Sequence, residues 1–386
     1  MTLRGTAAII GIGESEIGRV PERDGVGLTV DAARRAIDDA GVATSDVDGV
    51  ITTPVFVKPY PRQANVVAEQ LGIRPRFQVT WQNSGASGCS MIGGAAAAIR
   101  AGLASTVLVA SGDNELSGLG SDGTIAELAR QRDPDLEAPH GLTVPALFAM
   151  VIRAYMHRYG VSPEQAAAVA VTMREHAGYT DKAQMSEPIT VDDVLASPMV
   201  ASPLRRLDCS LISDGAAAAV VTSAARVDDR PAAFVLGFGE GYSHELIIHS
   251  PSLTTFAAVE SGRRAYEMAR IGPPEIDVAG IYDCFSGVVL IELEDLGLCP
   301  TGEAGAFVTD GGIRIGGTIP VNTNGGLLSY CHPGYPGGLF HVVEVARQLM
   351  RKADPRQIDA EVGLVHNMGG TFSTNSTLIL GTGSTR

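Results

Sequence analysis

The sequence predicts an α/β protein built from two similar halves. Two observations carry this. Short apolar runs rich in β-branched residues alternate with helical patterns, which is the signature of a parallel or mixed sheet covered on both faces. In addition, a glycine turn followed by a helix and a strand at 84–111 has a counterpart at 333–367. The composition agrees: 46 glycines and only 5% aromatic residues favour close backbone packing and many special turns.

In the first half, "AAIIGIG" (7–13), "DGVITT" (48–53), "RFQVT" (76–80), "STVLVAS" (105–111) and "AAAAVVTS" (216–223) read as buried strands, with helical patterns at 29–41 and 86–102. The second half repeats the scheme. "AAFVLGFGEG" (232–241) echoes "AAIIGIGES", a helical segment covers 255–270, and "IDVAGIYDCF" (276–285) follows. "NTNGGLLSYCHPGYPGG" (322–338) is a glycine-rich turn that opens a helix at 336–351, and "EVGLVHN" and "STLILGT" close the chain as strands. The halves meet in the charged stretch "ARVDDRP" (225–231), which divides the chain into 1–225 and 226–386. Residues at about 113–205 fit neither half. Their helical patterns at 143–159 and 163–177 lie among polar turns and read as an inserted loop domain, a common carrier of specificity.

A chain of 386 residues, 45% hydrophobic and 19% charged, is long enough for two fused units with a large core. The net charge of −14 comes without any basic stripe, which argues against nucleic acid as a partner. Cys89, Cys209, Cys284, Cys299 and Cys331 are odd in number and lack CxxC spacing, so free thiols in a reducing compartment are expected and a metal site is not. The apolar run at the N-terminus is too short for a signal peptide or a membrane span. The expectation is a soluble, cytoplasmic protein. "GIGESEIG" (11–18) has the wrong spacing for a dinucleotide turn, and "GASGCSMIGG" is not a Gly-x-Ser-x-Gly elbow.

Several stretches resemble the thiolase superfamily in its sterol-carrier-protein, or lipid-transfer, branch. "IIGIGESEIGR" is similar to that branch's first strand and turn, and "LTVPALFAMVIRAYMHRYGVSPEQAAAVAV" to its loop-domain helices. "IYDCFSGVVLIELEDLGLCPTGEAGAFV" resembles the segment with the HDCF motif, "NTNGGLLSYCHPGYPGG" the NxxGG…GHPxGxxG segment, and "HNMGGTFSTNSTLIL" the closing strand pair. The resemblance covers nearly the whole chain. It implies a thiolase fold: two βαβαβαββ halves in a five-layer α/β/α/β/α arrangement with an inserted loop domain. It also implies a homodimer and a CoA thioester as substrate, with no covalently bound cofactor.

In that family a nucleophilic cysteine begins a Cys-x-x-Gly turn ahead of a helix. Counting back without gaps from "AGLASTVLVASG" puts Gly85 on the cysteine's position. Cys89 lies four residues further on, about 6 Å along the helix axis at 1.5 Å per residue. The expected reading is therefore a lost nucleophile, with Cys89 as a small buried hydrophobe. The resemblance carries other site residues over. His332 matches the histidine of the HPG turn, which binds the thioester oxygen and moves a proton. Cys284 matches the acid/base cysteine of HDCF, and as a thiol near a helix N-terminus its pKa is a candidate for depression. Tyr282 stands where HDCF has its histidine, and a phenol is a plausible acid/base for an alkoxide. Tyr330 and Tyr335 flank His332 and are candidates for the same cavity. Gly85, Asn324, Tyr335 and Gly370 are expected on the substrate side; Asn324 and Asn367 are candidates either to orient groups or to serve the structure alone, and His366 is read as a satisfied strand-end residue.

A thioester-binding cavity with Tyr282 and His332 but no thiolate suits retro-aldol cleavage of a β-hydroxyacyl-CoA, with a steroid or bile-acid side chain as the candidate acyl group. The products are a ketone or aldehyde and a short acyl-CoA. Family members of this kind often work with a small partner bearing an OB-fold and a zinc ribbon, here expected in a heterotetramer. Two alternatives stay open at this point: an acyltransferase or thiolase using Cys89, and a non-catalytic lipid or CoA binder.

Overall fold

The computed structural model describes residues 2–130 and 132–385. The described residues hold eleven strands: β1 (Ala7–Glu14), β2 (Gly49–Thr52), β3 (Phe77–Thr80), β4 (Thr106–Asn114), β5 (Met199–Ala201), β6 (Leu204–Arg205), β7 (Asp214–Ser223), β8 (Ala233–Tyr242), β9 (Val278–Ile281), β10 (Val362–Gly369) and β11 (Thr374–Gly381). Nine of them form a mixed sheet in the order β3-β2-β4-β7-β1-β8-β11-β10-β9, while β5 and β6 make a small ribbon.

The order reads the same outward from the centre in both directions. β3-β2-β4-β7-β1 is answered by β9-β10-β11-β8, and where a fifth strand would lie beyond β9, Val321 makes a single parallel bridge to Ala279. The two half-sheets are joined by pairing of β1 with β8, over Ala8↔Phe234 and Ile9↔Ala233. The echo between the two opening strands has a packing cause. A methyl group at Gly11 or Gly13 on β1 would lie 2.4 Å from a carbonyl of the Gly25–Ala40 helix, and at Gly237 or Gly239 on β8 it would lie 2.1 or 2.2 Å from a carbonyl of the Ala258–Ala269 helix. Glycine lets each helix lie directly on its strand.

Strand side chains alternate between two cores, as the period of two requires. Ile9, Val107, Val109, Val221, Val235, Val365 and Leu378 join the buried faces of the Ser87–Arg100 and Gly337–Leu349 helices in one core. Their neighbours Leu108, Val220, Leu236, Leu364 and Ile379 face the outer helices. Two helices thus fill the space between the half-sheets, and helices cover each outer face, which makes five layers. The segment between Asn114 and Asp214 carries the helices Val144–Tyr159 and Pro163–Ala177. The second begins at a capping box formed by Ser162 and Gln165. No helix among the described residues is long and apolar enough to cross a membrane.

Candidate active site

The site lies where the two central helices begin. Strand β9 ends at Ile281, held on its open side by Asn322, whose amide nitrogen donates to the Ile281 carbonyl (2.7 Å) and whose oxygen accepts from the Ile281 N–H (2.8 Å). This side chain stands in for a neighbouring strand and fixes the point at which Tyr282 leaves the sheet. Next in the chain, the buried Asp283 carboxylate accepts from the Leu327 N–H (2.8 Å), the Leu328 N–H (3.2 Å) and His341 Nε2 (3.1 Å). Gly326 makes room for it, since a methyl there would lie 2.2 Å from the carboxylate.

Tyr282 points at Gly85. A methyl group on Gly85 would lie 2.3 Å from the phenol oxygen and 2.4 Å from the Met368 carbonyl oxygen. The space a side chain at position 85 would take is filled by the phenol. The phenol oxygen is 3.2 Å from Nε2 of His332, and the two rings meet edge to face. On its other side, His332 Nδ1 is 2.8 Å from Ser210 Oγ, and its backbone N–H donates to Ser213 Oγ (2.9 Å). In the tautomer that carries its proton on Nδ1, toward Ser210, Nε2 is free to accept from the phenol. Gly337 opens the second helix against the imidazole, leaving 2.9 Å between a would-be methyl and His332 Cδ2.

Burial opposes charge on both members of this pair. It pushes Tyr282 well above the ordinary phenol range, in the company of the acidic groups of Cys284, Glu115, Asp283 and Glu292. It lowers His332 to about 4, against a partial upward pull from Asp283. At neutral pH the resting pair is a neutral phenol beside a neutral imidazole.

Cys89 lies elsewhere. It is fully buried in the central core, its N–H donates to Asn367 Oδ1 (2.9 Å), and its thiol donates to the Val365 carbonyl of β10 (3.5 Å). Burial, with Glu240 adding to it, drives the thiol well above its ordinary value. Cys284 is buried as well, and the depressed pKa considered from its place near a helix N-terminus is not found. Burial comes first and Glu292 and Asp283 follow, all pushing the thiol up. Desolvation outweighs the helix end here.

The other candidates divide. Tyr330 turns its hydroxyl to Glu14 (3.1 Å), which also pairs with Arg347 (2.7 Å), so it does not join the Tyr282–His332 pair. Tyr335 meets Phe56 edge to face at 5.7 Å. Asn324 Oδ1 caps the Gly326 N–H of its own turn (3.1 Å). Gly370 forms the β10–β11 turn at φ 61°, against Ser373. Asn367 caps the Ser87–Arg100 helix through Cys89, and His366 Nδ1 meets Thr377 Oγ1 (2.8 Å) inside the sheet. Three groups escaped the sequence reading: Ser210, Ser213 and Glu115. All three reach the HPG turn from the inserted segment or its edge, and no spacing in the sequence links them to it.

Fold and site together define a duplicated α/β protein with a phenol–imidazole pair set between its two central helix starts. The chain belongs to the thiolase family: residues 7–225 match the thiolase N-terminal domain and 239–382 the thiolase C-terminal domain-like family. It is 35% identical to a steroid side-chain-cleaving aldolase from Thermomonospora curvata, over 98% of both chains. It is 34% identical to an acetyl-CoA acetyltransferase from Methanothermobacter thermautotrophicus, over 95% of this chain and 97% of that one. Among solved structures it is similar to the Ltp2-ChsH2(DUF35) aldolase, with a TM-score of 0.87 and 34% identity over 98% of both chains.

Proposed function

We propose that this protein is a carbon–carbon lyase that cleaves a β-hydroxyacyl-CoA by a retro-aldol reaction. The observation that carries this is the Tyr282 phenol occupying the place of a side chain at Gly85 while bonded to His332. The substrate hydroxyl passes its proton to the phenol oxygen as the phenol proton moves to Nε2 of His332. The Cα–Cβ bond breaks, the carbinol carbon leaves as a ketone or aldehyde, and the electron pair stays as a CoA thioester enolate. His332 returns its proton to the enolate carbon, directly or by way of Cys284, which passes one on and is reprotonated. Gly85, Asn324, Tyr335 and Gly370 line the substrate side in this reading. A steroid or bile-acid side chain is the proposed acyl group, in keeping with the aldolase relative.

Acyl transfer has a relative on its side as well. It needs a thiolate, and Cys89 is locked in the core with a raised pKa. A homodimer, and a heterotetramer with a small OB-fold/zinc-ribbon partner, complete the proposal, supported by the likeness to a two-protein aldolase. The test is to incubate the purified protein, with and without a co-encoded small partner, with a β-hydroxyacyl-CoA bearing a tertiary hydroxyl. Ketone release with acyl-CoA formation is expected. Acylation of Cys89, with thiolysis of a 3-ketoacyl-CoA instead, overturns the reading.

A further inference from the structure

Gly334, the glycine of the HPG turn, sits at φ 74° and has Glu115 pressed against it. A methyl at Gly334 would lie 1.9 Å from Glu115 Oε1. The Glu115 side chain comes from the segment that directly follows β4, and the residue is 4% exposed. Its backbone carbonyl is bonded to Thr124 and to Leu119, but no hydrogen bond among the described residues reaches its carboxyl. Burial opposes the charge of this carboxyl. It is kept against the turn that carries His332 and near Tyr282.

The surroundings decide its protonation. Asp113 faces it from the end of β4, Asp214 from the start of β7, and Tyr282 from the end of β9, with Gly334 of the turn against it. Asp113 and Asp214 are engaged elsewhere. Asp113 accepts from the backbone N–H groups of Phe56, Val57 and Asn114, and Asp214 accepts from the backbone N–H groups of Val20 and Ser117 and from the Ser117 hydroxyl. Burial and these two neighbours push Glu115 well above the ordinary carboxylate range. It rests as a neutral acid, which is a hydrogen-bond donor.

We infer that Glu115 is a further catalytic residue of this site, a buried carboxylic acid that donates a hydrogen bond to the thioester oxygen as the enolate forms. The inference rests on the carbon–carbon lyase reading. A neutral carboxyl kept in an apolar site is one established way to hold an oxyanion without placing a charge there. No proton is transferred in this role. The acid keeps its proton and shares it, while Tyr282 and His332 carry the proton of the substrate hydroxyl.

The experiment uses the full chain with its partner and follows two reactions: cleavage of the β-hydroxyacyl-CoA, and exchange of the Cα hydrogens of propionyl-CoA for deuterium in D₂O. Both pass through the enolate. Glu115→Ala is expected to slow both on the order of 10²–10³-fold, as loss of one oxyanion donor does elsewhere. Glu115→Gln keeps the shape and an N–H donor, so it should retain more activity. It should also lose the alkaline fall that ionisation of Glu115 imposes on the wild type. Melting temperatures near that of the wild type confirm that both variants fold. If Glu115→Ala exchanges within about threefold of wild type, or if Glu115→Gln keeps the same alkaline limb, the inference is overturned. If the wild type neither cleaves nor exchanges, it is the lyase reading that fails.

Discussion

The two helix starts at the centre of this molecule are built alike and equipped differently. Ser87–Arg100 and Gly337–Leu349 face each other so closely that a methyl at Gly88 would lie 2.4 Å from a Gly338 carbon, and one at Gly338 would lie 2.3 Å from the Gly85 carbonyl oxygen. The second start presents His332; the first presents Gly85, with no side chain. Duplication supplies two equivalent stages, and one residue at each decides the chemistry. Here the emptied place on the first stage is filled from the second half, by Tyr282. The fold is retained, and in the proposed reaction a proton-handling phenol stands where a thiolase would hold its nucleophile.

The widest gap between the two stages should open on removing the phenol oxygen. Tyr282→Phe keeps the ring over Gly85 and deletes the bond to His332. A loss on the order of 10²–10⁴ in kcat is expected for an acid/base group, measured as ketone release, with the melting temperature close to wild type. Unchanged turnover would leave His332 without its partner role. Restoring a side chain on the first stage should be the next largest effect. Gly85→Ala puts a methyl into the phenol and the Met368 carbonyl, and overpacking of this kind costs about 1–3 kcal/mol. The melting temperature should fall, and Tyr282→Ala in the same chain should recover part of it. Additive losses in the double variant would mean that the two positions do not share the space.

Much of this comparison was legible in the sequence, because the features involved are local. Strands β1, β4, β7 and β8 follow apolar runs that lose little to context, and Gly85 emerges from a gapless count along one helix. The losses were long-range. β9 stops at Ile281 because Asn322, 41 residues away in the chain, closes its edge and Tyr282 turns away into the site. The ring position of Tyr330 says nothing about its hydroxyl, which Glu14, 316 residues away in the chain, captures. Cys284 precedes a helix, and that local cue suggested a lowered pKa; the depth of burial that reverses it belongs to the tertiary packing. Ser210 and Glu115 reach the HPG turn only because the inserted segment folds back over it.

Smaller effects test the second stage. Because His332 is lowered to about 4, its imidazole stays neutral well below pH 6.5, and the acid limb of kcat/KM should lie near 4. The same shift destabilises the fold in acid. As pH falls from about 6.5 to about 4, the unfolded chain takes up a proton that the folded chain refuses, so His332 lowers stability across that window. An acid limb near 6.5 would mean that the ring is solvated. Ser210→Ala removes the group that holds Nδ1, and loss of about 1.4 kcal/mol of hydrogen bonding corresponds to roughly tenfold in rate. Its signature should be a lower kcat with little change in KM.

The smallest effect is expected where a thiolase would suffer its greatest. Cys89→Ala removes a thiol bonded to the Val365 carbonyl in the central core, away from the phenol and imidazole. Its cost should be one of packing: about 1 kcal/mol of stability, in the ordinary range for a small buried truncation, read as a modest fall in melting temperature. Ketone release per folded enzyme should match wild type, and iodoacetamide should leave Cys89 unlabelled in the native protein. If Cys89→Ala abolished turnover while folding normally, the first stage would have to rearrange to bring that sulfur past Gly85. The phenol now standing in the way would then be a gate rather than an acid/base.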